Sequence, residues 1–188
     1  VDESFTSEVE KRLMLGNSIE KIDGINQLVD IKKFHLDRIK SLFDIDFISN
    51  RLKKMKMRIF VDSMHGSAAN CMADIFASNH SEVVSEIRKN ADPFFGGKPP
   101  EPLLNYVDDL NQILIKNSKN EVKTLGIIFD GDGDRIAAID EKGRYSSTQD
   151  LLPYFIHYLG ETKNNSYPVL KTVSGSDIIK NISESQNR

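Results

Sequence analysis

The sequence predicts an α/β fold: a mixed, mostly parallel sheet with flanking helices, a helical N-terminal segment and the start of a further α/β domain. Three observations predict it. The runs RIFVD and LGIIFD are short, apolar and β-branched, as strands covered on both faces are. Apolar residues at helical spacing lie between these runs. A second strand–glycine–helix pattern then begins near residue 169.

Residues 1–57 carry helical patterns and no clear strand. The first twenty-odd residues are polar, and we expect them to be extended or frayed. Two short helices are predicted after them. The residues that recur at helical spacing are Ile31, His35, Ile39, Leu42 and Phe43 for the first, and Phe47, Ile48, Arg51, Leu52 and Met55 for the second.

Residues 58–164 read as one α/β unit. RIFVD is its first strand, and EVVSEIR is a second. A helix between them would place Ala69, Met72, Ala73 and Phe76 on one face. The loop NADPFFGGKPPEP is rich in proline and glycine, and Pro102 suits the first turn of the next helix. The core face of that helix would be Leu103, Leu104, Val107, Leu110 and Leu114.

LGIIFD and RIAAID are the clearest pair of strands, with a turn at 141–143 after them. Ser147 and Asp150 match a capping box that begins a helix. A strand at Val169–Val173 and a helix from Asp177 would then open another domain. The predicted division is therefore 1–57, 58–164 and 165–188. The buried stripe of the helix after Ser147 would be Leu151, Leu152, Phe155, Ile156 and Leu159.

Composition excludes several classes of function. The net charge of −3 provides no overall field that favours nucleic acid or an anionic membrane. The basic stretch at 51–58 is typical of a solvated helix end. The lone Cys71 cannot form an intramolecular disulfide, and no apolar run approaches a membrane span. We therefore expect a cytoplasmic protein with no nucleic-acid or membrane partner.

Three carboxylates dominate the chemistry of the sequence. Asp130, Asp132 and Asp134 stand at alternate positions of FDGDGDR, with glycine between them and Arg135 next. Carboxylates a few ångströms apart repel by about 1 kcal/mol in water, and by more beside a low-dielectric wall. Arg135 can neutralise one of them. A divalent cation that prefers oxygen ligands, Mg²⁺, Ca²⁺ or Mn²⁺, can neutralise the rest.

Three interpretations compete for this loop. A polar surface turn leaves the clustering of charge unexplained. In an EF-hand, Asp130, Asp132, Asp134 and Glu141 would take loop positions 1, 3, 5 and 12, but position 6 needs glycine and is Arg135. A metal loop at the carboxyl end of a strand fits best, because α/β sheets place their ligands there.

The residues around the loop resemble the α-D-phosphohexomutase superfamily, the phosphoglucomutase and phosphomannomutase enzymes. FDGDGDR is similar to the metal loop of that family. IFVDSMHGSAA, ADPFFGGKPPEPLLNYVDDL and DEKGRYSSTQDLLPYF resemble parts of its second domain, and VLKTVSGSDII resembles the entry to its third. The resemblance covers roughly residues 28–182. It implies that 1–57 is the end of a first domain, 58–164 the second domain and 165–188 a truncated third.

The resemblance also implies a mechanism. Such enzymes pass the phosphoryl group of a phosphoserine to a glucose or mannose phosphate through a bisphosphorylated intermediate. Asp130, Asp132 and Asp134 would bind Mg²⁺, and Arg135 would lie beside the phosphoryl group. His65, in the turn SMHGS at the same edge of the sheet, would contact the sugar phosphate or would simply be bonded to nearby backbone.

The sequence lacks the Ser-His-Asn-Pro-type stretch that carries the family's phosphoserine. We therefore expect this chain to be a fragment that is inactive alone. A non-catalytic α/β module that uses the aspartate loop to bind Ca²⁺ or a partner remains an alternative. The sequence does not distinguish a preference for glucose from one for mannose.

Overall fold

The computed structural model describes residues 2–16, 24, 27–76, 82–118 and 122–188. The chain divides into two compact units, Val1–Ile31 and Lys32–Arg188. The bounds of the helices are α1 Glu3–Met14, α2 Ile31–Leu42, α3 Ile45–Lys54, α4 Cys71–Phe76, α5 Asp108–Asn117, α6 Thr148–His157 and α7 Asp177–Ser185.

The first unit contains α1, which corrects the expectation of an extended or frayed start. The Asp2 side chain accepts a hydrogen bond from the Ser4 N–H and so caps the helix. Glu8 and Arg12 form an i,i+4 ion pair at 3.0 Å. These local contacts favour a helix although its residues are mostly polar. Residues 17–23, which the same expectation included, lie outside the described residues.

The second unit is built on a five-stranded sheet in the order β2-β1-β3-β4-β5. β1 pairs in parallel with β2 and β3, while β4 runs antiparallel to both β3 and β5. Four of the strands therefore run in one direction, and the predicted mixed, mostly parallel sheet is confirmed. The bounds of the strands are β1 Met57–Asp62, β2 Val84–Ile87, β3 Lys123–Phe129, β4 Ile136–Asp140 and β5 Tyr145–Ser146.

Both faces of the sheet are covered. Successive residues of a strand point to opposite sides, so neighbouring residues contribute to different cores. Phe60 faces a core that includes Leu110 and Leu114 of α5. Its neighbour Val61 faces a second core, formed with α2, α3 and α4. Gly126 lets α5 approach β3 closely, since a Cβ there would lie 2.9 Å from both leucine side chains. This packing explains the apolar strands in the sequence.

Four of the predicted helices, α2, α3, α6 and α7, begin where expected, and two others are shorter. α2 and α3 match the helical patterns of the N-terminal segment, and Ser147 and Asp150 form the predicted capping box of α6. α4 begins only at Cys71, so Ala69, a predicted position of this helix, lies before it. The predicted start of the next helix at Pro102 was wrong. Leu104–Tyr106 is a 3-10 turn, and α5 begins at Asp108.

The end of the second unit differs from prediction at one element. α7 begins at Asp177, as expected, and packs on α6. No strand forms over 169–173, all of which the structure describes. Leu170 and Val173 are fully exposed. A strand needs a neighbour to satisfy its backbone, and no described edge strand lies alongside this segment.

Within the described ranges, no helix combines the length and the apolar content needed to cross a membrane.

Candidate functional site

The aspartate loop connects β3 to β4 at the carboxyl end of β3. Asp130 directly follows β3, and Arg135 directly precedes β4. The Asp130 N–H donates to the Arg135 carbonyl at 3.3 Å, which closes the loop at its base. β1 runs parallel to β3, so the turn that follows Asp62 lies at the same edge of the sheet. The fold thus brings two loops together where the sequence predicted a site.

Asp130 is the buried member of the three carboxylates. Its side chain is 0% exposed. Oδ1 accepts hydrogen bonds from the N–H groups of Gly133 and Arg135, both at 3.0 Å. Oδ2 accepts from Arg135 Nε at 2.6 Å. Burial raises the pKa of Asp130, but the bonds from Arg135 and Gly133 outweigh it and lower that pKa below 3.8.

Asp132 and Asp134 are exposed and complete a cluster of oxygen ligands. One carboxylate oxygen from each of the three aspartates lies within 4.8 Å of the others. Repulsion from Asp132 is the main cause that raises the pKa of Asp134, with burial and Asp130 adding to it. Among the described ion pairs of the loop, one guanidinium, that of Arg135, faces three carboxylates. An all-oxygen donor set with excess negative charge fits a hard divalent cation.

Contacts from outside the loop support its tip. The Ser67 N–H donates to the Gly131 carbonyl at 2.9 Å, and Ser67 Oγ donates to the Asp132 carbonyl at 2.7 Å. On the other side, the Gly131 N–H donates to the Pro100 carbonyl at 3.0 Å. A Cβ on Gly66 would lie 2.3 Å from the Gly131 carbonyl oxygen. Only glycine at position 66 permits this approach of the two backbones.

A buried ion pair anchors the turn that carries Ser67. The Asp62 carboxylate is 0% exposed and accepts from Arg88 Nε at 2.8 Å and Nη2 at 2.5 Å. Arg88 Nη2 also donates to the Tyr106 carbonyl at 3.0 Å. The Met64 N–H donates to Asp62 Oδ1 at 3.0 Å. The turn after β1 is therefore fixed by charge as well as by backbone hydrogen bonds.

An open cleft of about 360 Å³ adjoins the aspartate loop. Arg135 is 52% exposed, so its guanidinium reaches this cleft while Nε stays bonded to Asp130. A loop that contains Phe95 and Glu101 forms the opposite wall. The lining residues are Phe95, Pro99, Pro100, Glu101, Asp130, Gly131, Asp132 and Arg135.

His65 lies at the same edge of the sheet, but its side chain contacts the backbone of a neighbouring loop. Its Nδ1 is 2.7 Å from the Asn90 carbonyl oxygen. Its ring packs beside Gly96, where a Cβ would lie 3.2 Å from Nε2. Of the residues that the structure describes, His65 is not one that lines the cleft. A contact between His65 and a sugar phosphate stays a prediction.

Sequence reasoning missed the supporting residues of the site. Neither the contacts of Ser67 with the loop nor the Asp62–Arg88 pair was foreseen. The signal for the pair is faint: an aspartate at the end of one parallel strand and an arginine just after the neighbouring one. Knowledge of the strand order would have revealed this pair, because the ends of β1 and β2 lie side by side.

Comparison with known proteins finds one family. The profile of the phosphoglucomutase/phosphomannomutase alpha/beta/alpha domain II matches residues 33–143. The phosphoglucosamine mutase of Methanococcus vannielii is 28% identical over 95% of this chain and 38% of its own length. The phosphoglucosamine mutase of Methanococcus aeolicus is 34% identical over 80% of this chain and 33% of its own. The chain therefore spans about a third of the length of these relatives.

Solved structures show the same fold. A phosphoglucomutase/phosphomannomutase family protein of Burkholderia thailandensis superposes with a TM-score of 0.74 at 17% identity, over 99% of this chain and 38% of that one. A phosphomannomutase-like protein of Thermus thermophilus gives a TM-score of 0.70 at 19% identity, over 87% of this chain and 36% of that one. At such identities the similarity establishes the fold alone.

Proposed function

Because the chain belongs to the phosphoglucomutase/phosphomannomutase family, whose domain II profile covers residues 33–143, we propose that it supplies the metal-binding domain of an enzyme that moves a phosphoryl group between two positions of one sugar phosphate. The observation that carries this proposal is the arrangement of the aspartate loop. Three carboxylate oxygens lie within 4.8 Å of one another, and Arg135 extends from the same loop into the cleft.

Asp130, Asp132 and Asp134 would hold the cation, for which Mg²⁺ is our proposal. When bound, it supplies positive charge that offsets the charge on a transferred phosphoryl group. Asp130 is fixed by hydrogen bonds within the loop, so it supplies an oxygen at a constant place. Asp132 and Asp134 are exposed and would supply the other two oxygens. The family's dependence on metal and the fit of the donor set support this assignment.

Arg135 would bind phosphoryl oxygens in the cleft. Its bond to Asp130 orients the guanidinium, and the exposed remainder of the side chain faces the space a phosphate would occupy. Arginine suits this role because its planar group presents several N–H donors to an oxyanion. His65 remains a weaker candidate for a contact with the sugar.

The names of the relatives support the substrate class that we propose. Proteins similar to this chain are named phosphoglucosamine mutase and, in Drosophila melanogaster, phosphoglucomutase 1. We propose a 1- or 6-phosphate of glucose, mannose or glucosamine. We also propose the domain division 1–57, 58–164 and 165–188, a cytoplasmic location, and dependence of turnover on a phosphoserine that this sequence does not contain.

Titration of the chain with Mn²⁺ and Mg²⁺ tests the metal assignment. Free Mn²⁺ is measured by its electron paramagnetic resonance signal, and Mg²⁺ by competition. We expect Asp132→Asn and Asp134→Asn each to weaken binding by about an order of magnitude or more, because charge count sets such affinities. The matched control, Asp109→Asn, removes an exposed carboxylate of α5 and should leave the affinity unchanged.

Two outcomes would contradict the proposal. Tight Ca²⁺ binding in the micromolar range without Mg²⁺ or Mn²⁺ binding would favour the calcium-binding module instead. Metal binding that survives both substitutions would place the cation elsewhere. In the full-length parent protein, Arg135→Lys should lower turnover of the sugar 1-phosphates, and turnover by the 188-residue chain alone would refute the need for further domains.

A further inference from the structure

We propose that Ser67 is a positioning residue that holds the tip of the aspartate loop in its metal-binding shape. The inference rests on the proposed function and deepens it, since it concerns how the same site is organised. The three carboxylates differ in the hydrogen bonds that hold them. Asp130 is fixed from within the loop, whereas no hydrogen bond from another described residue reaches the Asp132 carboxylate.

The position of the Asp132 carboxylate therefore depends on its backbone. Ser67 contacts this backbone twice: the N–H donates to the Gly131 carbonyl at 2.9 Å, and Oγ donates to the Asp132 carbonyl at 2.7 Å. The two bonds hold the two consecutive peptide groups that lie on either side of the Asp132 Cα. A peptide group held at its carbonyl oxygen cannot rotate freely. The two bonds from Ser67 therefore set the direction of the Asp132 Cα–Cβ bond.

Ser67 is itself held in place. The Gly66 N–H donates to the Ser63 carbonyl at 2.7 Å, and the His65 N–H donates to the Arg88 carbonyl at 2.8 Å. Because Gly66 has no Cβ, the turn can lie directly against Gly131. The hydroxyl of Ser67 thus connects a rigid turn to the exposed part of the loop. Outer contacts of this kind commonly tune metal affinity.

Ser67→Ala removes the Oγ bond to Asp132 and keeps the N–H bond to Gly131. A typical hydrogen bond of this kind corresponds to an affinity change of about twofold to tenfold. We expect the Mn²⁺ dissociation constant to rise within that range. Ser67→Thr keeps a hydroxyl donor and should retain most of the affinity. Ser185→Ala is the matched control, because Ser185 Oγ makes the same type of bond, to the Ile182 carbonyl at 2.7 Å, on α7.

Two readouts separate positioning from a general loss of stability. The first is the Mn²⁺ dissociation constant, and the second is the melting temperature without metal. We expect Ser67→Ala to raise the Mn²⁺ dissociation constant. It should change the melting temperature no more than Ser185→Ala does. Amide hydrogen exchange gives a third readout: the Gly133 N–H should exchange faster in Ser67→Ala and at the original rate in Ser67→Thr.

The outcomes are distinguishable. Unchanged Mn²⁺ affinity in Ser67→Ala would overturn the role of Ser67 and leave the proposed function intact. Equal loss of affinity in Ser67→Ala and Ser67→Thr would also overturn it, because the hydroxyl would then not be responsible. If the unaltered chain bound neither Mn²⁺ nor Mg²⁺, the proposed function would fail, and the role of Ser67 with it.

Discussion

Substitution of Arg88 by methionine should destabilise the second unit strongly. Arg88 donates to Asp62 through Nε and Nη2 and to the Tyr106 carbonyl. Methionine fills similar space but donates no hydrogen bond. The Asp62 carboxylate, which is 0% exposed, would then keep the Met64 N–H as its one remaining donor among the described residues.

The magnitude follows from the burial of the charge. Removing one partner of a buried ion pair costs about 3–5 kcal/mol, because the other charge is left without compensation. The Arg88 side chain is 13% exposed, so some water can reach the vacated space. We therefore expect the lower end, about 3 kcal/mol. That is a large fraction of the stability of a typical domain.

Urea denaturation followed by circular dichroism measures the effect. With a slope of about 2 kcal/mol per molar, the midpoint should fall by about 1.5 M. Arg144→Met is the matched control: Arg144 pairs with Asp140 in a similar geometry, but its side chain is 73% exposed. Exposed pairs contribute little, so the control should lose far less stability.

A second variant separates charge from packing. Adding Asp62→Asn to Arg88→Met removes the uncompensated charge and should recover part of the lost stability. If Arg88→Met cost no more than Arg144→Met, or if the double variant were less stable than Arg88→Met, the reasoning from buried charge would be refuted.

Three further predictions concern the loop and the helices. Gly66→Ala should lower the free energy of unfolding by about 1–3 kcal/mol in urea denaturation, because its Cβ would overlap the Gly131 carbonyl oxygen; no loss would mean that the two backbones separate freely. The folded pKa of Asp130 lies below 3.8, so its stabilising contribution is complete above 3.8 and is lost as the pH falls through the folded value. Asp130→Asn should therefore flatten the fall in urea midpoint from about pH 5 to about pH 2, and an unchanged slope would assign that fall to other groups. In thermal denaturation, Ser147→Ala should lower the free energy of unfolding by about 1 kcal/mol through loss of the α6 cap. Ser185→Ala should lower it by less.

The sequence predicted the sheet well because strand signals are local. β1, β3 and β4 are short apolar runs that need both faces covered, and periodicity alone identifies them. β5 was missed because it contains only Tyr145 and Ser146, too few residues to show alternation. The Val169–Val173 strand was predicted wrongly for a related reason: its composition suits a strand, but a strand also requires a neighbour.

The helix expected from Pro102 shows another limit. Leu103 and Leu104 continue the apolar pattern of α5, yet both are exposed and belong to the loop that leads to the cleft wall. Hydrophobic spacing cannot tell a loop with apolar residues from the first turn of a helix. The contacts of Tyr145, whose hydroxyl donates to the Pro102 carbonyl, depend on strand order and lie beyond local sequence signals.

For the candidate site, the sequence predicted the ligands but not their support. Asp130, Asp132 and Asp134 are close in sequence, so their proximity in space required no knowledge of the fold. Ser67 lies 65 residues from Asp132 along the chain. Its contacts exist because β1 and β3 are adjacent parallel strands, which a single sequence does not reveal.

The unequal anchoring of the three carboxylates has a consequence for ion selectivity. Asp130 is immobilised by its own loop, while the carboxylates of Asp132 and Asp134 are exposed. If the loop binds a cation as proposed, rotation of the exposed Asp132 and Asp134 side chains on their backbones would let the site accept ions of different radius. Discrimination between Mg²⁺ and Mn²⁺ would then be weak, and the relative abundance of the two ions would decide which one occupies the site.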